Sequence, residues 1–212
     1  AVYIFGWRGL VVMAVSVGGC LAAEALSQLA LRRPITVGDG SAVVTGLLLA
    51  FVCPVSSPWW MVLIGSVAAI FLVKQLGGGL GVNIFNPALA ARAVLLSSWP
   101  VAMTAWSEPV RSFLSADAVS AASVLGLMKE SARAGVAYSP PGYLQLLLGG
   151  GPGSLGETCK VCLLAGGALL ILLKIVDWRT PAAFLGGLAA LSLAFGRDPL
   201  AEVLAGGAIL GA

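Results

Sequence analysis

Gly9-Leu10-Val11-Val12-Met13-Ala14-Val15-Ser16-Val17-Gly18-Gly19-Cys20-Leu21-Ala22-Ala23-Glu24-Ala25-Leu26-Ser27-Gln28-Leu29-Ala30-Leu31 decides the fold. It is nearly all apolar and long enough to cross a bilayer, which takes about 20 residues of helix. Arg32-Arg33-Pro34 then ends it with positive charge and a helix breaker. Its one acid, Glu24, stands near that end. Upstream, Ala1 to Gly6 reads as the tail of another helix, and Trp7-Arg8 as an interfacial anchor.

The same pattern recurs to the last residue. Of 212 residues, 59% are hydrophobic and only 10% charged, with 28 glycines and a mean hydropathy of +1.00. This predicts an all-α, polytopic transmembrane helical bundle, a single domain over residues 1–212, with glycine and other small residues at close helix contacts. The missing initial methionine and the apolar last residues lead us to expect a portion of a longer chain. A net charge of +3 excludes a basic nucleic-acid surface, and the absence of histidine removes the commonest proton-shuttling and metal-binding side chain. Cys159-x-x-Cys162 has redox spacing, but it lies in an apolar run with no second pair, so small buried apolar residues are the expectation.

Gly38-Asp39-Gly40-Ser41 opens a run ending at Cys53-Pro54 that is short for a span. Two readings stand: a discontinuous helix whose N-terminus aims free N–H groups at a ligand or ion, or a plain helix capped by Asp39. Pro58-Trp59-Trp60 marks the opposite interface, and Met61 to Leu76 crosses back, with Lys74 near its end. Ala88 to about Trp106 crosses again, and Arg92 within it should face protein or a cavity. Ser107 to about Gly153 is the one long polar interval. Leu155 to Ile175 and Ala182 to Phe195 cross, and a further run starts after Pro199. Arg32, Arg33, Lys74, Lys174 and Arg179 fall on one side of this topology, which makes that side cytoplasmic and the 107–153 loop extracytoplasmic. Gly40-Ser41-x-x-x-Thr45 and Gly153-Ser154-x-x-x-Thr158 open helices from opposite sides, as an inverted repeat would.

Two stretches carry candidate chemistry. In Asp117-Ala118-Val119-Ser120-Ala121-Ala122-Ser123, two hydroxyls three apart have only alanine between them, which leaves room for a large group such as a phosphate. The bland alternative is that Asp117 or Ser120 caps a short helix running to about Lys129. In Gly77-Gly78-Gly79-Leu80-Gly81-Val82-Asn83-Ile84-Phe85-Asn86-Pro87, glycines permit close backbone approach. Asn83 and Asn86 offer amides that both donate and accept at a flat heterocycle, or they simply form the turn before Pro87. The loop lacks the Lys-Ser/Thr of a phosphate-binding loop.

Three segments occur together in one family: Gly38 to Ala50, Gly78 to Ala88 and Gly153-Ser154-Leu155-Gly156-Glu157-Thr158. The chain resembles the D subunits of Rnf electron-transport complexes, which are related to the B subunit of the sodium-translocating NADH:quinone reductase. The resemblance implies FMN joined through its phosphate to a hydroxyl in an Asp-x-x-Ser/Thr-Gly/Ser/Ala-Ala-Ser/Thr motif, a bond made by a flavin transferase. Asp117, Ser120 and Ser123 match it, with Ser123 as acceptor in place of the usual threonine. It further implies riboflavin near Asn83 and Asn86, and assembly with the A, E and G membrane subunits and the B and C peripheral subunits in the cell inner membrane. The implied function is electron relay between ferredoxin and NAD coupled to Na⁺ or H⁺ translocation, with no general acid, base or metal ligand of its own. The alternative is a channel or solute carrier, with Glu24, Asp39, Glu157 and Glu202 lining an ion path.

Overall fold

The computed structural model describes residues 2–79, 81–83, 85–107, 120–121, 124–134, 142–157, 159–205 and 208–211. Among them the regular structure is helical, apart from one two-residue strand pair and one isolated bridge. Helix α1 (Val2–Ala30) is interrupted at Gly6, whose φ of 65° and ψ of −153° leave the helical region. The break falls where the sequence separates a preceding tail from the first span. Ile4–Ala30 is long and apolar enough to cross a membrane, and four shorter apolar helices accompany it among the described residues.

Helix α2 (Ser41–Val52) packs along α1. The crossing is close because Gly46 carries no side chain: a Cβ there would come 2.7 Å from the Val17 Cα. Ser16 Oγ–H uses that proximity to donate to the Gly46 carbonyl at 2.7 Å. This is how small and hydroxylic residues join helices where lipid gives no hydrophobic drive between them. Helix α3 (Trp59–Val67) runs on without a break into a π-helix (Ala68–Gln75), a form that the sequence does not announce. Its wider turns place consecutive residues Lys74 and Gln75 both in the interior.

The predicted span from Ala88 to Trp106 is instead two helices, α4 (Pro87–Ser98) and α5 (Pro100–Thr104). Trp99 between them has φ −133° and ψ 65°, since the ring of Pro100 disfavours a helical predecessor. Arg92 is half-buried and lies 5.8 Å over the Trp106 ring, so it does face protein. Strand β1 (Trp106–Ser107) pairs antiparallel with β2 (Ser120–Ala121), followed by α6 (Val124–Ala134) and α7 (Tyr143–Leu147). The predicted span from Leu155 begins later, as α8 (Lys160–Leu172). Residues 153–157 form a buried turn because the amides of Leu155 and Gly156 bond the carbonyls of Cys53 and Phe51 at 3.3 and 2.9 Å, at the end of α2. Helices α9 (Arg179–Ala194), α10 (Pro199–Ala205) and α11 (Ala208–Gly211) complete the order.

The core lies among α1 to α5: Leu49, Met61, Ala69, Ala91 and Leu95 form one cluster, and Ile4, Phe5, Ala50, Val62 and Leu155 another. Helices α8 and α9 turn leucines and Phe184 outward, a surface suited to lipid rather than water.

Candidate functional site

Glu24 on α1 is fully buried, and so is Lys74 on the π-helix at 2% exposure. Lys74 Nζ donates to Glu24 Oε1 at 2.5 Å, an ion pair spanning fifty residues of sequence. Gln28 and Gln75 each direct an amide Nε2–H at the same oxygen, both at 3.4 Å. Glu24 Oε2 is buried without a partner among the described residues. A second N–H of Lys74 reaches Ser41 Oγ at 2.5 Å, and the Ser41 hydroxyl donates to Asp39 Oδ1 at 2.5 Å. Asp39 is exposed, in the connection ahead of α2. The backbone N–H of Ser41 also donates to Oδ1, at 2.8 Å. These bonds, the hydroxyl's first, hold the Asp39 carboxyl below its usual range.

An open pocket of about 160 Å³ lies beside this cluster, with Glu24, Arg33, Asp39, Lys74, Gln75 and Gly79 in its wall. Arg33 crosses its mouth and donates to the Gln75 carbonyl at 3.2 Å. Gly40, at φ 74°, occupies the N-cap position of α2, and Asp39, one position earlier, accepts from the first amide of the helix, the N–H of Ser41. The sequence shows Glu24 and Lys74 each as a lone charge near the end of an apolar run. It carries no sign of their pairing, and nothing in it marks Gln28 or Gln75.

Of the residues expected to carry flavin, Asp117 and Ser123 lie outside the described residues. Ser120 is in β2, opposite Ser107, and α6 starts at Val124. Ser107 also bridges to Gly153, and its buried Oγ has no partner among the described residues. Lys160, 5% exposed, donates to the Glu157 carbonyl at 2.6 Å and lines a small recess with Val124 and Gly153. Lys160 and the unpartnered Ser107 hydroxyl thus both lie by Gly153, and an ammonium with a hydroxyl is of a chemistry that suits a phosphate. Among the described part of the glycine loop, Gly78, Gly79 and Gly81 have φ between 88° and 108°, which only glycine adopts readily. Asn83 Oδ1 is buried and unpartnered among the described residues. Asn86 is the N-cap of α4: its Oδ1 accepts from Ala88 N–H at 3.0 Å and Leu89 N–H at 3.4 Å, which leaves only its NH₂ for anything else.

The cysteines divide. Cys20 and Cys53 are buried in the apolar core as expected, but Cys162 is exposed and its sulfur is 3.1 Å from that of half-buried Cys159. The expectation of two more buried apolar residues fails for this pair, because the helix begins at Lys160 and leaves the Cys-x-x-Cys stretch on its outer first turn.

These features define a polytopic helical membrane protein with a buried ion pair at one end of a short helix and a loop-borne polar site at the other. The family described as NQR2, RnfD, RnfE family matches residues 1–212, and the chain belongs to it. The D subunit of the Na(+)-translocating ferredoxin:NAD(+) oxidoreductase complex of Acetobacterium woodii is 46% identical over 99% of this chain and 64% of its own length. The D subunit of the proton-translocating ferredoxin:NAD(+) oxidoreductase complex of Clostridium ljungdahlii is 39% identical over 100% and 66%. That of the ion-translocating oxidoreductase complex of Stutzerimonas stutzeri is 36% identical over 99% and 68%. The chain therefore spans about two thirds of the length of these relatives.

Proposed function

We propose that this chain belongs to the D subunit of an ion-translocating ferredoxin:NAD⁺ oxidoreductase complex and carries flavin for electron transfer through the membrane. The observation that carries this reading is the match of the whole chain, at 46% identity, to a protein named as such a subunit. In this reading Ser123 bears FMN through a phosphoester formed by a flavin transferase, with Asp117 and Ser120 completing the motif, on the side away from the cytoplasm. Asn83 and Asn86 contact a second flavin, riboflavin. When bound, a flavin supplies one- and two-electron redox chemistry, and the protein's part is to place it and set its environment. Lys160 and Ser107, both by Gly153, have the charge and the hydroxyl that a phosphate takes, which agrees with this reading. The partners are the complex's A, E and G membrane subunits and its B and C peripheral subunits, in the inner membrane.

The test is intact mass and in-gel flavin fluorescence of the subunit from complex matured in a strain that has the transferase. The native chain is expected heavier by one FMN and fluorescent, and the Ser123→Ala chain at its unmodified mass and dark. A native chain at unmodified mass refutes the flavin assignment.

A further inference from the structure

We propose that Glu24 is a proton-loading site inside the membrane, filled from the exposed carboxylate of Asp39 through Ser41 and Lys74. The proposal stands on the buried pair and does not depend on the flavin reading.

Glu24 is unevenly supplied with donors. An ionised carboxylate has two oxygens, each able to accept more than one bond. All three donors that reach Glu24 converge on Oε1, and the equally buried Oε2 has none among the described residues. A charged oxygen left bare in the interior is unfavourable, and a neutral carboxyl is far easier to bury. The group is thus built to hold either a proton or a charge, and the pocket in whose wall it stands is polar and large enough for water.

A continuous path leads from this acid to the surface. Three bonds of 2.5 Å link Glu24 Oε1, Lys74 Nζ, Ser41 Oγ and Asp39 Oδ1 in sequence, from a fully buried acid to an exposed one. A proton arriving from water first protonates Asp39. Lys74 gives an N–H proton to Glu24, its N–H bond breaking as the O–H bond forms. The Ser41 hydroxyl, turned toward the amine, restores that proton while accepting the one held by Asp39. Lys74, Ser41 and Asp39 end as they began, and Glu24 has become a carboxylic acid. The π-helix contributes by bringing Lys74 inward beside Gln75, and such segments are frequent at functional sites.

A proton suits the site better than a metal cation. The Lys74 ammonium already occupies the place beside Oε1, and Arg33 adds positive charge at the pocket wall. Among the described residues, the charged and titratable groups facing the pair are Cys20 from α1, Arg33 and Asp39 from the connection to α2, and Lys74 itself.

The experiment is infrared difference spectroscopy of the intact complex in lipid nanodiscs, stepped in pH in H₂O and D₂O. A protonated-carboxyl band that grows as pH falls, shifts in D₂O and vanishes in Glu24→Gln is expected. Ser41→Ala leaves the ion pair in place and is expected to keep the band but slow its appearance after a pH jump. The double variant Glu24→Gln with Lys74→Met removes both charges, so loss of the band there does not reflect a misfolded protein with one buried charge. Persistence of the band in both Glu24 variants overturns the proposal. So does an unchanged rate in Ser41→Ala, or a Glu24-dependent ²³Na relaxation signal that shows a metal ion at the site. None of these readouts needs flavin or turnover.

Discussion

Replacing Lys74 by methionine removes the only cation bonded to Glu24 among the described residues, and no other donor stands close enough to replace it. The amides of Gln28 and Gln75 are 3.4 Å from Oε1, beyond the range of good N–H···O bonds. Removing one partner from a buried pair costs about 3–5 kcal/mol, and because Glu24 can take a proton when its cation is lost, Lys74→Met falls toward the lower end. At about 3 kcal/mol, the unfolding equilibrium moves roughly a hundredfold. Glu24→Gln is milder, because Lys74 keeps its bond to Ser41 Oγ at 2.5 Å and, through it, the charge of Asp39; about 2–3 kcal/mol is expected. The double variant has no charge to strand, and the glutamine at 24 can bond Gln28 and Gln75. Its cost should fall short of the sum of the two single costs by about 3 kcal/mol. Reversible unfolding in mixed micelles measures the three variants against the parent, the four corners of this cycle. Additive costs, or a Lys74→Met protein within about 0.5 kcal/mol of the parent, would show that the two charges are not bonded in the folded chain.

Gly156→Ala would place a Cβ 2.6 Å from the Phe51 Cβ, and the turn would lose its grip on the end of α2; a cost of about 1–3 kcal/mol in the same unfolding assay is expected. Asp39 gives a dependence on pH. Its carboxyl titrates lower in the folded chain than in the unfolded one, where the value is about 4. Its contribution is therefore complete above that pH and is lost as pH falls through the folded value. Melting temperature recorded down through this acid range should drop less in Ser41→Ala than in the parent, and equal drops would rule out the Ser41 bonds as the cause. Cys159 and Cys162 should close to a disulfide under mild oxidation, since 3.1 Å between sulfurs needs only about 1 Å of movement to reach bonding distance. Two of the four cysteines would then be protected from maleimide, while a full count of reactive thiols after oxidation would argue against the pairing.

The helical class was legible because apolar runs of bilayer length leave few alternatives, and Gly6, Pro34 and Pro54 punctuate them. The break at Trp99 was legible too in principle: a residue before proline resists the helix, but the apolar run on both sides hid it. Leu155 is different. It reads as a helix start by hydrophobicity, yet it belongs to a turn because its amide bonds the carbonyl of Cys53, far upstream, a tertiary fact without a local trace. The π-helix has no periodic signature in eight residues. The Glu24–Lys74 pair needed the knowledge that α1 meets the π-helix, which spacing does not supply. Asn86 shows the opposite case: Asn-Pro before an apolar run is a capping signal, and the cap explains the residue locally whatever else its amide does.

Helix α2 ties these observations together. Its 12 residues span about 18 Å against a hydrocarbon thickness of about 30 Å, so it cannot reach both faces. The end that stops short is identified by burial: Asp39 ahead of the helix is exposed, whereas Cys53, Pro54 and Val55 after it are buried. Carbonyls at such an end have no water to bond and must find protein donors. The 153–157 turn supplies them through Leu155 and Gly156, and Gly156 has no side chain because Phe51 occupies the space a Cβ would take. The turn is thereby held against the far end of α2, and the Ser107 bridge at Gly153 holds β1 and β2 beside it. The polar loop is thus anchored to the far end of the same short helix whose near end meets Lys74. A displacement of α2 along its axis would act on the ion pair and the loop together. Tightening or loosening the turn, as Gly156→Ala does, should therefore alter the rate at which Glu24 takes up its proton. That coupling is measurable by the same infrared pH jump, and an unaltered rate would show the two ends to be independent.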